Sequence, residues 1–85
     1  MEIILTNKAD ADLLYWKKTN SSQTLQRIRH LLASIIINPF QGIGKPEALK
    51  HNLSGKWSRR IDRENRIIYE ILDGKVVVHS LKGHY

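Results

Sequence analysis

Eighty-five residues without a cysteine, carrying 14 Lys and Arg against 8 Asp and Glu, describe one small basic domain. The length leaves no room for a second core. The missing thiols exclude disulfides and thiolate chemistry, and no apolar run reaches the roughly 18 residues of a membrane span. The formal charge of +6 points to a polyanion or an acidic protein as partner, and the chain reads as cytoplasmic. A core this small leaves on the order of 3–5 kcal/mol of net stability, so a stabilising partner or a homodimer is expected.

In chain order, residues 1–5 predict a short strand. Thr6 or Asn7 then caps a helix whose early turns carry Asp10 and Asp12 at the positive end of the dipole. Leu13, Leu14 and Trp16 form its apolar face, and it ends near Thr19. A second helix starts at Asn20 or Ser21, with Gln23 placed for a capping box. Leu25, Ile28, Leu32 and Ile35 recur at helical spacing as its buried stripe, and Asn38-Pro39 stops it. Residues 40–56, punctuated by Gly42, Gly44, Pro46 and Gly55, predict an irregular segment. It is too long for a plain connector, and so reads as functional, pinned to the core by Phe40, Leu49 and Leu53. Strands follow over 57–61, Arg66–Leu72 and 75–81, with a turn over 62–65 and a tight hairpin turn at Asp73-Gly74. The order β-α-α-β-β-β predicts an α+β fold in one domain, 1–85. A helix hairpin covers one face of a small mixed, mainly antiparallel sheet, and the other face or its edge is left for the basic residues.

The charge is not spread evenly. From Lys45 to Arg66 there are seven Lys or Arg and three acids, whereas the charges before Ser34 nearly cancel. Within that stretch Glu47 is either a solvated loop carboxylate or a general base able to deprotonate a ribose 2′-OH. Arg59, Arg60, Arg63 and Arg66 are either a charged sheet face or phosphate ligands. Arg59 and Arg60 are neighbours in a strand and point to opposite faces, so simple alternation cannot bring both to one site. Arg66 opens a strand after a turn, suited to project into a cleft and stabilise developing charge. Lys50, Lys56 and Lys82 are candidate backbone contacts. At the C-terminal end, His84 is either solvated or an acid for a 5′-oxygen leaving group, and Tyr85 offers a ring for base stacking. His30 and His79 read as structural, His51 as a possible phosphate contact and Trp57 as core. No zinc spacing and no Gly-rich phosphate loop is present.

The run from Pro39 to Ile61, PFQGIGKPEALKHNLSGKWSRRI, continued by Arg66-Ile67-Ile68-Tyr69, by His84-Tyr85 and by the Tyr15-Trp16 pair, resembles the signature of the YoeB/Txe toxins, a branch of the RelE-type mRNA interferases. The resemblance covers essentially the whole chain. It implies the RelE-like, microbial-ribonuclease-type fold. It also implies a type II toxin that cuts mRNA in the ribosomal decoding site, and a cognate acidic antitoxin that neutralises it. By position, Glu47 matches the general base, Arg66 the phosphate-stabilising arginine and His84 the general acid. Lys50, Arg60 and Tyr85 match the surround of that site. The chemistry implied uses no metal or other cofactor and leaves a 2′,3′-cyclic phosphate and a 5′-hydroxyl. A non-catalytic basic module that binds the ribosome or an antitoxin is the competing reading. Lys17-Lys18 and Ile35-Ile36-Ile37 lie outside the motif, where they would alter antitoxin or dimer contacts.

Overall fold

The computed structural model describes residues 1–83. Strand β1 (Glu2–Leu5) leads into helices α1 (Asn7–Lys18) and α2 (Ser22–Ile37). Strands β2 (Glu47–Ala48), β3 (Trp57–Arg60), β4 (Arg66–Leu72) and β5 (Lys75–Ser80) follow, with a 3₁₀ turn at His51–Leu53. One sheet runs in the order β1-β5-β4-β3-β2. Only β1 and β5 are parallel; the remaining pairings are antiparallel.

Connection lengths explain this order. Asp73 and Gly74 both take positive φ, 50° and 72°, the two-residue turn whose twist suits a hairpin. A parallel partner needs a long crossover, and the α1–α2 hairpin supplies it for β1. The α+β arrangement matches the sequence reading with one addition. Residues 40–56 are not wholly irregular, because Glu47 and Ala48 pair with Ser58 and Trp57 as an edge strand. Two residues are too few for periodicity to reveal.

The core lies between the helices and one sheet face, where Ala9, Ile28, Leu31, Ile35, Ile67, Tyr69, Val76, Val78 and Leu81 meet. The buried line on α2 is Ile28, Leu31 and Ile35, so Leu31 takes the central place that the sequence assigns to Leu32, which is only half-buried. On α1 the buried residues are Ala9 and Asp12, while Leu14 is exposed. Thr6 caps α1: its Oγ1 accepts the Ala9 N–H at 3.3 Å and donates to the His79 carbonyl at 3.2 Å, tying the cap to β5. The capping box at Gln23 does not form. Ser21 is the N-cap of α2 but makes no side-chain cap bond, and its hydroxyl pairs with that of Thr19 instead. Phe40 packs against Trp57 with centroids 5.0 Å apart and the rings tilted by 48°, pinning the segment before β2 to the sheet. Among the described residues no helix is long and apolar enough to cross a membrane.

Candidate active site

Strand alternation decides which charges meet. Glu47 lies opposite Ser58, Ser58 opposite Ile68, and Arg60 opposite Arg66. Residues two apart share a face, so Glu47, Ser58, Arg60, Arg66 and Ile68 all stand on the face away from the helices. There they line a cavity of about 220 Å³ with Lys45 and Leu49. Strands lie about 4.8 Å apart, which puts the Glu47 and Arg66 backbones roughly 10–12 Å apart across the cleft. That gap fits a phosphodiester held between their side chains. Three cations, Lys45, Arg60 and Arg66, face one carboxylate, Glu47.

The turn before β4 orients Arg66. Asp62 Oδ1 accepts the backbone N–H groups of Glu64 and Asn65, each at 2.8 Å, and the Asn65 amide at 3.1 Å. Burial pushes the Asp62 carboxyl up. The N–H donors and the nearby Arg66 charge outweigh it and hold the group below its ordinary value. Arg66 Nη1 donates to the Asp62 carbonyl at 3.0 Å and to the Asn65 carbonyl at 3.3 Å, fixing one side of the guanidinium. The same turn grips the last described residue: Gly83 N–H donates to Asn65 Oδ1 at 2.8 Å, and Arg66 N–H donates to the Gly83 carbonyl at 2.8 Å. The assignments to His84 and Tyr85 lie outside the described residues.

Arg59 is a correction. The sequence reading includes it among the phosphate ligands, but it is fully buried on the helix side of β3. Its Nε donates to the Tyr69 hydroxyl at 3.0 Å. Nη1 donates to Ser34 Oγ at 2.7 Å and the Ile43 carbonyl at 3.1 Å, and Nη2 to the carbonyls of Asn38 at 2.7 Å and Gln41 at 3.0 Å. Burial pushes the Tyr69 phenol up against the opposing pull of Arg59, and its O–H donates to the Pro39 carbonyl at 2.6 Å. Arg59 therefore shapes the segment that carries Lys45 and Glu47, and it cannot reach a phosphate. Lys50 is exposed beyond β2 and does not line the cavity. Lys45 lines it in its place. No local spacing marked it: Lys45 takes a positive φ of 53° outside any strand, so alternation counted back from Glu47 does not reach it.

Gly44 ties the segment before β2 to β3. Its carbonyl accepts the Arg60 N–H at 2.7 Å. At φ +82° an added Cβ would stand 2.6 Å from Leu31 Cδ2 and 3.3 Å from the Arg60 carbonyl oxygen. Gly44→Ala is expected to cost roughly 2–4 kcal/mol from the left-handed backbone and the overpacking together. Urea unfolding measures it; a loss below about 0.5 kcal/mol would mean that the close approach relaxes freely.

Comparison with known proteins places the chain in a family. Residues 5–85 match the family model of the YoeB-like toxin of bacterial type II toxin-antitoxin systems. The chain belongs to the YoeB family. It is therefore a toxin of the type II toxin–antitoxin class. It is 46% identical over 85 residues to Toxin YoeB of Synechocystis, covering 100% of this chain and 98% of that one. It superposes with a TM-score of 0.96 on a YoeB/ParE toxin from Agrobacterium tumefaciens, at 32% identity with 100% of both chains covered. The YoeB of Staphylococcus aureus, 40% identical, has been solved in a heterotetrameric complex with YefM, on which this chain superposes at TM-score 0.90, covering 100% of this chain and 98% of that one. It has also been solved as a dimer. The five-stranded mixed sheet under two helices is the RelE-like fold of these toxins. Among the described residues no three metal-ligating side chains gather.

Proposed function

We propose that this YoeB-family chain is a ribosome-dependent endoribonuclease that cuts mRNA in the decoding site by acid–base phosphoryl transfer. The observation that carries the reading is the cleft itself: one carboxylate, Glu47, set across from Arg66 with Arg60 and Lys45 beside them. Glu47 takes the proton of a ribose 2′-OH. The freed oxygen attacks the adjacent phosphorus, the bond to the 5′-oxygen breaks, and His84 protonates that leaving group. The products are a 2′,3′-cyclic phosphate and a 5′-hydroxyl. Arg66, Arg60 and Lys45 stabilise the negative charge that builds on the phosphate oxygens, and Tyr85 stacks on a base. The grip of Asn65 and Arg66 on Gly83 supports the role of His84 in this scheme, because it holds the residue that precedes His84 in the chain beside Arg66. Exposed Lys50 suits the mRNA or ribosomal RNA backbone outside the cleft.

The family's complexes support two further partners: an acidic antitoxin that neutralises the toxin, and a second copy of the chain. The basic charge of +6 suits both the antitoxin and ribosomal RNA.

Expression without antitoxin, followed by mapping of mRNA 5′ ends, tests the enzyme directly. Discrete cuts within codons are expected for the wild type, and a fall of roughly 10²-fold or more for Glu47→Ala. Intact mRNA under wild-type expression, with translation still inhibited, would establish the non-catalytic binding module instead.

A further inference from the structure

Lys8, Asp12 and Trp16 recur every four residues along α1 and so form one stripe on its surface. All three reach the segment that follows β5. Asp12 is 8% exposed. Its Oδ2 accepts the Leu81 N–H at 2.9 Å, the Lys8 ammonium at 2.6 Å and the Ser80 hydroxyl at 3.4 Å. Lys8 Nζ also donates to Ser80 Oγ at 3.0 Å and to the Lys82 carbonyl at 3.2 Å. Trp16 Nε1 donates to the Leu81 carbonyl at 2.9 Å. Both backbone groups of Leu81 are thus held by side chains of a helix 65 or more positions away, in place of a neighbouring strand.

Two features set this apart from ordinary packing. The bonds around Asp12 and Lys8 are charge-assisted, about twice as strong as neutral ones, and directional. The segment is also gripped from its other side, where Gly83 is bound by Asn65 and by the Arg66 backbone. Residues 80–83 therefore have both edges fixed immediately before the proposed acid.

We propose that the Lys8–Asp12–Trp16 stripe is a positioning device for the reaction, fixing residues 80–83, the segment from which the proposed acid His84 follows in the chain. None of the three touches substrate; they act through the tail. The proposal rests on the reading of His84 as general acid.

The test is a double-mutant cycle on programmed ribosomes, with single-turnover cleavage as the readout. Asp12→Ala, Trp16→Phe and the milder Lys8→Met are each made in the full chain and in a chain lacking His84 and Tyr85. Lys8 is largely exposed, and its replacement leaves the fold intact should Asp12→Ala fail to fold. In the full chain Asp12→Ala is expected to slow cleavage by about 10²-fold, as a displacement of about 1 Å does, with smaller losses for Lys8→Met and Trp16→Phe. In the truncated chain the same substitutions are expected to add nothing, because their effect passes through the missing residues. An equal fold-loss in both backgrounds overturns the proposal, as does wild-type cleavage by all three full-length variants while truncation itself abolishes cutting. Full-rate cutting by the truncated wild-type chain overturns the His84 reading as well, which separates the two failures.

Discussion

Arg66→Ala is expected to slow cleavage of ribosome-bound mRNA by about 10²–10³-fold, the loss typical of removing one preorganised group that stabilises transition-state charge. Its position explains the magnitude. Arg66 opens β4 on the cleft face, and its Nη1 is tethered to the carbonyls of Asp62 and Asn65. The tether removes rotamer freedom before substrate arrives, leaving Nε and Nη2 to meet a phosphate oxygen pair. Lysine has no planar fork and cannot hold the turn and bind the phosphate together. Arg66→Lys is therefore expected to recover little of the rate. Single-turnover cleavage at saturating ribosome, with a separate measurement of ribosome affinity, checks both substitutions. Full-rate cutting by Arg66→Ala would remove this residue from the chemistry.

Arg59→Met is expected to be strongly destabilising, at roughly 3–5 kcal/mol, because several hydrogen bonds from one buried charged donor are lost together. The guanidinium sits on no carboxylate among the described residues; three carbonyls and two hydroxyls accept its hydrogen bonds and solvate its charge. Methionine fills much of the volume but removes five hydrogen bonds made by a charged donor, leaving the Tyr69 hydroxyl and four partly buried acceptors without it, at about 1–3 kcal/mol for each group left unsatisfied. The loss is comparable to the whole net stability expected of so small a core, on the order of 3–5 kcal/mol. The isolated variant should be largely unfolded at 25 °C, and a bound antitoxin should recover part of the fold by mass action. Circular dichroism against temperature, with and without antitoxin, reads this out. A variant melting within a few degrees of wild type would show that the network is dispensable. The neighbouring Arg60, exposed on the cleft face, should show the opposite profile when changed to alanine: little loss of stability and weaker substrate binding.

Local signals carried most of the secondary structure. Turn chemistry at Asp73-Gly74 and the helix stop at Asn38-Pro39 act over a few residues, so their outcome is readable without knowing the rest of the chain. Alternation also carried information about the site: it indicated that Arg59 and Arg60 could not serve one cleft. It did not say which of the two would face the substrate. That depended on which side of the sheet the α1–α2 hairpin covered, a choice made by Ile28, Leu31 and Ile35 packing on Ile67, Tyr69, Val76 and Val78. Asp12 is the clearest case of a misleading local rule. An acid in the early turns of a helix suits the dipole, yet here it is buried against Ser80 and Leu81, residues 68 and 69 positions away.

By itself the sequence determined the class of the fold, the family, and the short basic stretch in which Glu47 and Arg66 stand. These are properties of composition, local periodicity and contiguous motif. Only the tertiary structure decided that Arg59 belongs to the core, that Lys45 and not Lys50 lines the cleft, and that Lys8, Asp12 and Trp16 hold the segment before the C-terminal pair. Each of these depends on the pairing of distant strands and on which sheet face the helices bury. That information lies in contacts between residues far apart in the chain, which no local spacing records.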